Sequence, residues 1–85
     1  MKTLSDFKRK IQTGVKVHTV WYNKGQAIDK GIREVKTVQS NSFSLLTGEN
    51  ESWLEFPKAK NITIINKDTI NIYQQGNLTI IYTFV

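Results

Sequence analysis

The side chains able to catalyse a reaction are few in this chain, and their spacing does not bring them together. His18 is the only histidine, and there is no cysteine. A catalytic serine needs a base beside it and a backbone oxyanion site, yet the sequence has no Gly-x-Ser-x-Gly turn. One histidine among scattered acids also lacks the clustering that a metal site requires. We therefore expect a protein that is not an enzyme and has no cofactor or metal ion.

The cations are concentrated at the start of the chain. Residues 1–24 carry six lysines or arginines against one aspartate, and the rest of the chain is balanced, so the net charge of +5 arises there. A one-sided basic region favours a polyanionic partner such as nucleic acid. The alternative is that this charge only keeps a small domain in solution.

Two aromatic residues lie within the same basic region. Trp21 and Tyr22 are adjacent, so in a strand they face opposite sides and one of them is exposed. A positive surface with exposed rings is typical of nucleic-acid binding, although a thin core also uses such rings. We predict weak, non-specific backbone contact, with a log–log salt slope of about −4 on duplex DNA if about four or five cations engage. The predicted contact residues are Lys2, Lys8, Arg9, Lys10, Lys16, Lys24, Trp21 and Tyr22.

The last strand, LTIIYTFV (78–85), suggests a different function. It is apolar on both faces, and a terminal strand is often the edge of a sheet. An unpaired apolar edge invites another protein, or a second copy of the chain, to add a strand. The alternative is a central strand that is buried on both faces. The predicted contact residues for a protein partner are Leu78, Ile80, Tyr82 and Phe84.

A short helix is expected before the strands begin. Leu4, Phe7 and Ile11 recur at the spacing that lines one face of a helix. Thr3 is a suitable N-cap and Gly14 a suitable stop, so the pattern predicts a helix over 4–13. A helix this short is marginal in isolation, so we expect it to dock on the rest of the fold.

Strand patterns occupy the chain from residue 15 to residue 85. Val, Ile and aromatic residues alternate with polar ones between turn residues, and Pro57 ends regular pairing. The fold class is therefore mainly β (α+β): one N-terminal helix on an antiparallel, strongly twisted sheet or small SH3-like or OB-like barrel of about six or seven strands. The predicted strands are 15–22, 32–39, 42–47, 52–56, 61–65, 69–73 and 78–85, with a polar loop at 23–31.

Length and composition also predict the number of domains and the cellular location of the protein. Eighty-five residues predict a single domain, 1–85. The lack of cysteine means that no disulfide reinforces the core, which favours the cytoplasm. The first residues lack the apolar run of a signal peptide, and no stretch is long and apolar enough to cross a membrane.

Three segments resemble a known group of proteins. DKGIREVKTVQSNSFSLL (29–46), SWLEFPKA (52–59) and the terminal YTFV (82–85) are similar to short uncharacterised proteins carried by phages and related mobile elements of low-GC Gram-positive bacteria. The resemblance covers most of the chain from residue 4 onward. It implies an accessory role, either on nucleic acid or against a host or phage protein, and it implies no catalytic residues.

Overall fold

One helix and seven strands make up the fold. The computed structural model describes residues 2–74 and 76–85. The prediction of a mainly β fold, with an N-terminal helix and an antiparallel sheet, is confirmed. The elements are α1 (Leu4–Lys10), β1 (Lys16–Asn23), β2 (Gln26–Val38), β3 (Ser42–Thr47), β4 (Asn50–Glu55), a 3-10 turn (Ala59–Asn61), β5 (Ile62–Asn66), β6 (Thr69–Tyr73) and β7 (Leu78–Phe84).

Helix α1 begins at the predicted cap. The Thr3 hydroxyl accepts a hydrogen bond from the Asp6 N–H, and the Asp6 carboxylate accepts one from the Thr3 N–H. This reciprocal pair satisfies backbone donors that the first turn of a helix leaves without partners.

The helix ends earlier than the sequence pattern predicts. The predicted span 4–13 is wrong beyond Lys10, because Ile11 already has an extended backbone and a buried side chain. The Gly14 N–H donates to the Val35 carbonyl at 2.8 Å, and the Val35 N–H donates to the Val15 carbonyl at 2.8 Å. Bonds to β2 therefore fix the chain where a further turn of helix would be.

The strands form one sheet in the order β4-β3-β2-β1-β7-β6-β5, and every pair is antiparallel. The edge strands β4 and β5 are consecutive in the chain and are joined by residues 56–61. The sheet is strongly curled, because the ring centroids of Phe43 in β3 and Tyr82 in β7 lie 6.2 Å apart, although three strand spacings, about 14 Å, would separate their backbones in a flat sheet. It does not close into a barrel, so the barrel alternative is wrong.

The helix covers the concave face of the curled sheet. Phe7 is fully buried, and its ring packs edge-on against the rings of Phe43, Phe56, Tyr82 and Phe84. The core is completed by branched aliphatic side chains from both halves of the sheet. Its buried hydrophobic residues are Phe7, Ile11, Val17, Val35, Phe43, Leu45, Ile70, Ile72, Ile80 and Tyr82.

The segment predicted as a loop over 23–31 is instead a β-hairpin. Asn23 pairs with Gln26, so the turn has only two residues between the strands. These are Lys24 and Gly25, with φ of 52° and 81°, and two successive positive φ values produce the tight turn that matches strand twist. The prediction was wrong because residues 26–30 are exposed on both faces and show no apolar alternation.

The last strand is not an edge. β7 pairs with β1 on one side and β6 on the other. The Ile80 and Tyr82 side chains are fully buried, and Leu78 and Phe84 pack against the core. The four residues predicted to contact a protein partner therefore stabilise the fold, and assembly through this strand would require breaking the sheet. The strand is therefore central, as the alternative predicted, but only its concave face is buried, because Thr79, Ile81 and Thr83 on the other face are half-buried.

Candidate nucleic-acid interface

The cations of α1 point away from the sheet, because Phe7 and Ile11 occupy the buried side of this segment. Lys8, Arg9 and Lys10 are all exposed. The Lys8 Nζ lies 5.5 Å from the centroid of the Phe56 ring, and the Lys10 Nζ lies 5.3 Å from that of Phe84. The two ammonium groups therefore rest on rings on either side of Phe7, in the range of favourable cation–π contacts.

One acid moderates the charge of the helix. The Lys2 N–H donates to the Asp6 carboxylate at 2.8 Å, and this bond, with those from the Thr3 N–H and the Arg9 guanidinium, lowers the pKa of Asp6. Asp6 is therefore ionised at neutral pH and pairs with Arg9. A shallow depression of about 370 Å³ is lined by Lys2, Asp6, Arg9 and Lys10, without an aromatic ring.

The remaining predicted contact residues do not join the helix cations. Lys16 opens β1 and Lys24 lies in the turn after β1, so the length of an eight-residue strand, about 26 Å, separates them. Tyr22 is on the convex face, opposite the helix. Trp21 is on the concave face, where it packs against the core and its indole N–H donates to Thr19 Oγ1 at 3.1 Å. The eight predicted residues therefore do not form one surface.

A groove lies where the two ends of the curled sheet approach each other, and we call it the seam groove. It consists of two adjoining depressions of about 230 and 250 Å³ that share Glu55 and Gln74. The first also contains Lys58, Lys60 and Tyr73, and the second contains Trp53. Residues 56–61 form part of its wall, since they cross from β4 to β5 here.

Two large aromatic side chains are exposed in the seam groove. Trp53 and Tyr73 each retain 49% of their accessible surface. Trp53 is exposed because it faces away from Leu54, its neighbour in β4, which packs on the core. These rings offer flat apolar surfaces at the mouth of the groove.

The electrostatics of the seam groove are positive. Lys58 and Lys60 project from the crossing segment, and Lys8 borders the groove because its ammonium group lies over Phe56, a wall residue. Glu55 is the acidic member of the lining in the described part of the chain. None of the ion pairs formed by the described residues involves these three lysines.

Four of the groove's main residues, Trp53, Lys58, Lys60 and Tyr73, were not among the predicted contacts. Lys58 and Lys60 lie two residues apart directly after Pro57, which was a usable signal. It was hidden because Glu51, Glu55 and Asp68 balance the lysines of residues 51–85, so this part of the chain has no net charge. Tyr73 gave no signal, because its position beside Lys58 depends on the curl of the sheet.

Within residues 2–74 and 76–85, no group of three or more His, Cys, Asp or Glu side chains is placed to hold a metal ion. His18 is half-buried on the convex face, paired with Ile32 and Thr83 in the neighbouring strands. No described helix has the length and apolar character needed to cross a membrane.

Neither a protein-family model, nor a curated protein, nor a solved structure matches the chain. The resemblance to phage and mobile-element proteins therefore stays a prediction, and the candidate site depends on its geometry alone.

Proposed function

We propose that the protein is a non-enzymatic module that binds nucleic acid through the seam groove and the adjoining end of α1. The observation that carries the proposal is the placement of Lys8, Lys58 and Lys60 around one groove, free of ion pairs in the described part of the chain. When such ammonium groups bind phosphates, they release the counterions that are condensed on the nucleic acid. This release provides affinity without sequence recognition.

The groove presents fewer cations than the basic N-terminal region as a whole. Three engaged phosphates give a log–log salt slope of about −3 on duplex DNA and about −2 on a single strand. This is shallower than the slope of about −4 expected when four or five cations of the basic N-terminal region engage, because Lys8 is the cation of that region that lies beside a residue of the groove lining.

The proposal is tested by fluorescence anisotropy with a labelled oligonucleotide, titrated at salt concentrations from about 50 to about 200 mM. The variant Lys58→Glu/Lys60→Glu reverses two charges in the groove. Its matched control, Lys16→Glu/Lys30→Glu, makes the same change in net charge on β1 and β2. We expect the groove variant to lose binding and the control to retain most of it. Equal losses would mean that affinity follows net charge alone, and a flat salt slope would contradict phosphate contact altogether.

A protein-interaction function is a second candidate, now on the convex face rather than at β7. Ile32 retains 57% of its accessible surface there. It pairs with His18, and the half-buried Val20 and Ile81 face each other on neighbouring strands of the same face. We propose a second copy of the chain as the occupant. Sedimentation velocity tests this candidate, because Ile32→Lys should dissociate a dimer formed through this face, and a strict monomer at high concentration would contradict it.

A further inference from the structure

The seam groove has features that phosphate binding alone does not require. Lysines on any convex surface can neutralise phosphates, yet here they surround a recess with two exposed rings. Most other rings lie in or against the core, as at Phe7, Phe43 and Tyr82, which are fully buried, and Tyr22 is half-buried on the convex face. Trp53 and Tyr73 are therefore the large aromatic side chains of the described chain that remain most available for stacking.

An unpaired donor lies in the wall of the same groove. The Nε2 of Gln74 is buried, and it has no hydrogen-bond partner in the described part of the chain. Gln74 lines both depressions of the groove. Its backbone is fixed, because the N–H donates to the Leu78 carbonyl at 2.7 Å. A buried amide donor without a partner is unfavourable, so a ligand with an acceptor atom would improve its environment.

The shape of the groove selects between forms of nucleic acid. In a duplex the bases are stacked on each other and their faces are not accessible, so a duplex presents only its backbone and groove edges. A single strand can splay a base out, place its face on an aromatic ring and offer its carbonyl or ring-nitrogen acceptors to a side-chain amide. Rings, amide and lysines in one recess match the ring faces, edge acceptors and phosphates of a single-stranded nucleotide.

We infer that the seam groove binds single-stranded nucleic acid with an unstacked base on Tyr73, its edge toward Gln74 and its phosphates at Lys58 and Lys60. Trp53 offers a second stacking surface in the adjoining depression. This inference rests on the proposed function and adds its ligand class. It assigns to the protein a preference for single strands over duplex that charge alone does not give.

The decisive experiment compares two single strands with the same phosphates. One is a labelled pyrimidine oligonucleotide, and the other is an abasic strand of equal length, which keeps the backbone but has no bases. We expect the abasic strand to bind about tenfold more weakly, which corresponds to the loss of one stacked base. Equal binding of the two strands, with a preserved salt slope, would overturn this inference and leave the proposed function intact. Binding of neither strand would overturn both.

Variants of the ring identify the stacking residue. Tyr73→Ala should lower affinity for the pyrimidine strand about tenfold and leave affinity for the abasic strand unchanged. Tyr73→Phe keeps the ring and should retain binding. The control is Ile32→Ala, which removes an exposed apolar side chain from β2, three strands away from β6, and should not change the ratio of the two affinities. A Tyr73→Ala variant that binds both strands as the parent protein does would exclude stacking on this ring.

Discussion

The Lys8 ammonium group lies 5.5 Å from the centre of the Phe56 ring, and Phe56 in turn packs against Phe7 at a centroid distance of 6.3 Å. Through these contacts the helix is held against the segment that joins the two edges of the sheet. Lys8 is one of the residues predicted to contact nucleic acid, and its position beside the seam groove thus depends on how the helix docks.

Docking of the helix should depend strongly on Phe7. Phe7→Ala removes a fully buried ring that contacts four others, so we expect the free energy of unfolding to fall by about 3–5 kcal/mol. Urea denaturation followed by tryptophan fluorescence measures this change. Ser5→Ala, at an exposed position of the same helix, is the control and should change stability little. A Phe7→Ala variant as stable as the control would show that the helix is not docked.

The hydroxyl of Tyr82 should lower the stability of the fold. Burial raises the pKa of Tyr82, so the group stays protonated, and its oxygen has no hydrogen-bond partner in the described structure. Tyr82→Phe keeps the ring and removes the desolvated polar group. We expect the free energy of unfolding to rise by about 1 kcal/mol, measured by urea denaturation. A clear loss of stability would instead indicate that the hydroxyl has a partner in solution.

Gly31 lies inside β2, where its backbone conformation and the side chain of Arg33 both disfavour a larger residue. A Cβ at Gly31 would lie 2.6 Å from the Arg33 Nη1, because the arginine side chain crosses this position to reach Asp29 at 3.0 Å. Gly31 also has a φ of +157°, which side chains rarely adopt. We expect Gly31→Ala to cost about 1–3 kcal/mol.

A double-mutant cycle separates the two contributions at Gly31. In an Arg33→Ala background the clash is gone, so Gly31→Ala should cost less than it does in the parent protein. Equal costs in both backgrounds would assign the whole effect to the backbone.

The helix cap should contribute a pH-dependent part of stability. Hydrogen bonds lower the pKa of Asp6 in the folded state below its unfolded value of about 3.9. The contribution is therefore complete above the unfolded pKa and is lost as the pH falls through the folded pKa. Urea titrations should show the parent protein more stable than Asp6→Asn at neutral pH, and the two proteins converging as the pH falls through the lowered pKa of Asp6. A difference that stays constant with pH would contradict the role of the carboxylate.

The sequence predicts which residues of a strand are buried and which are exposed, because side chains of a strand alternate with a period of two. Val17 and Thr19 are buried and Lys16 is exposed, as the alternation in β1 predicts. The cap at Thr3 was also predictable, since it depends on residues three apart in the chain. Local patterns of this kind determine most of the architecture.

The site could not be predicted in the same way. Lys58 and Tyr73 are fifteen residues apart in the chain, and they meet only because the sheet curls until its edges approach. Gly25 and Gly31 both fall in the segment predicted as a loop, yet one lies in a tight turn and the other inside a strand. The difference arises from strand pairing and from Arg33, neither of which is visible from composition.

The most direct test of the account is an NMR titration of the ¹⁵N-labelled protein with a short pyrimidine single strand at low salt. We predict that the backbone amides that shift most belong to residues 53–56, 58–61, 73, 74 and 78, together with Lys8 on the adjoining helix. Shifts concentrated in β1 and β2, or no shifts at all, would contradict the seam groove as the binding site.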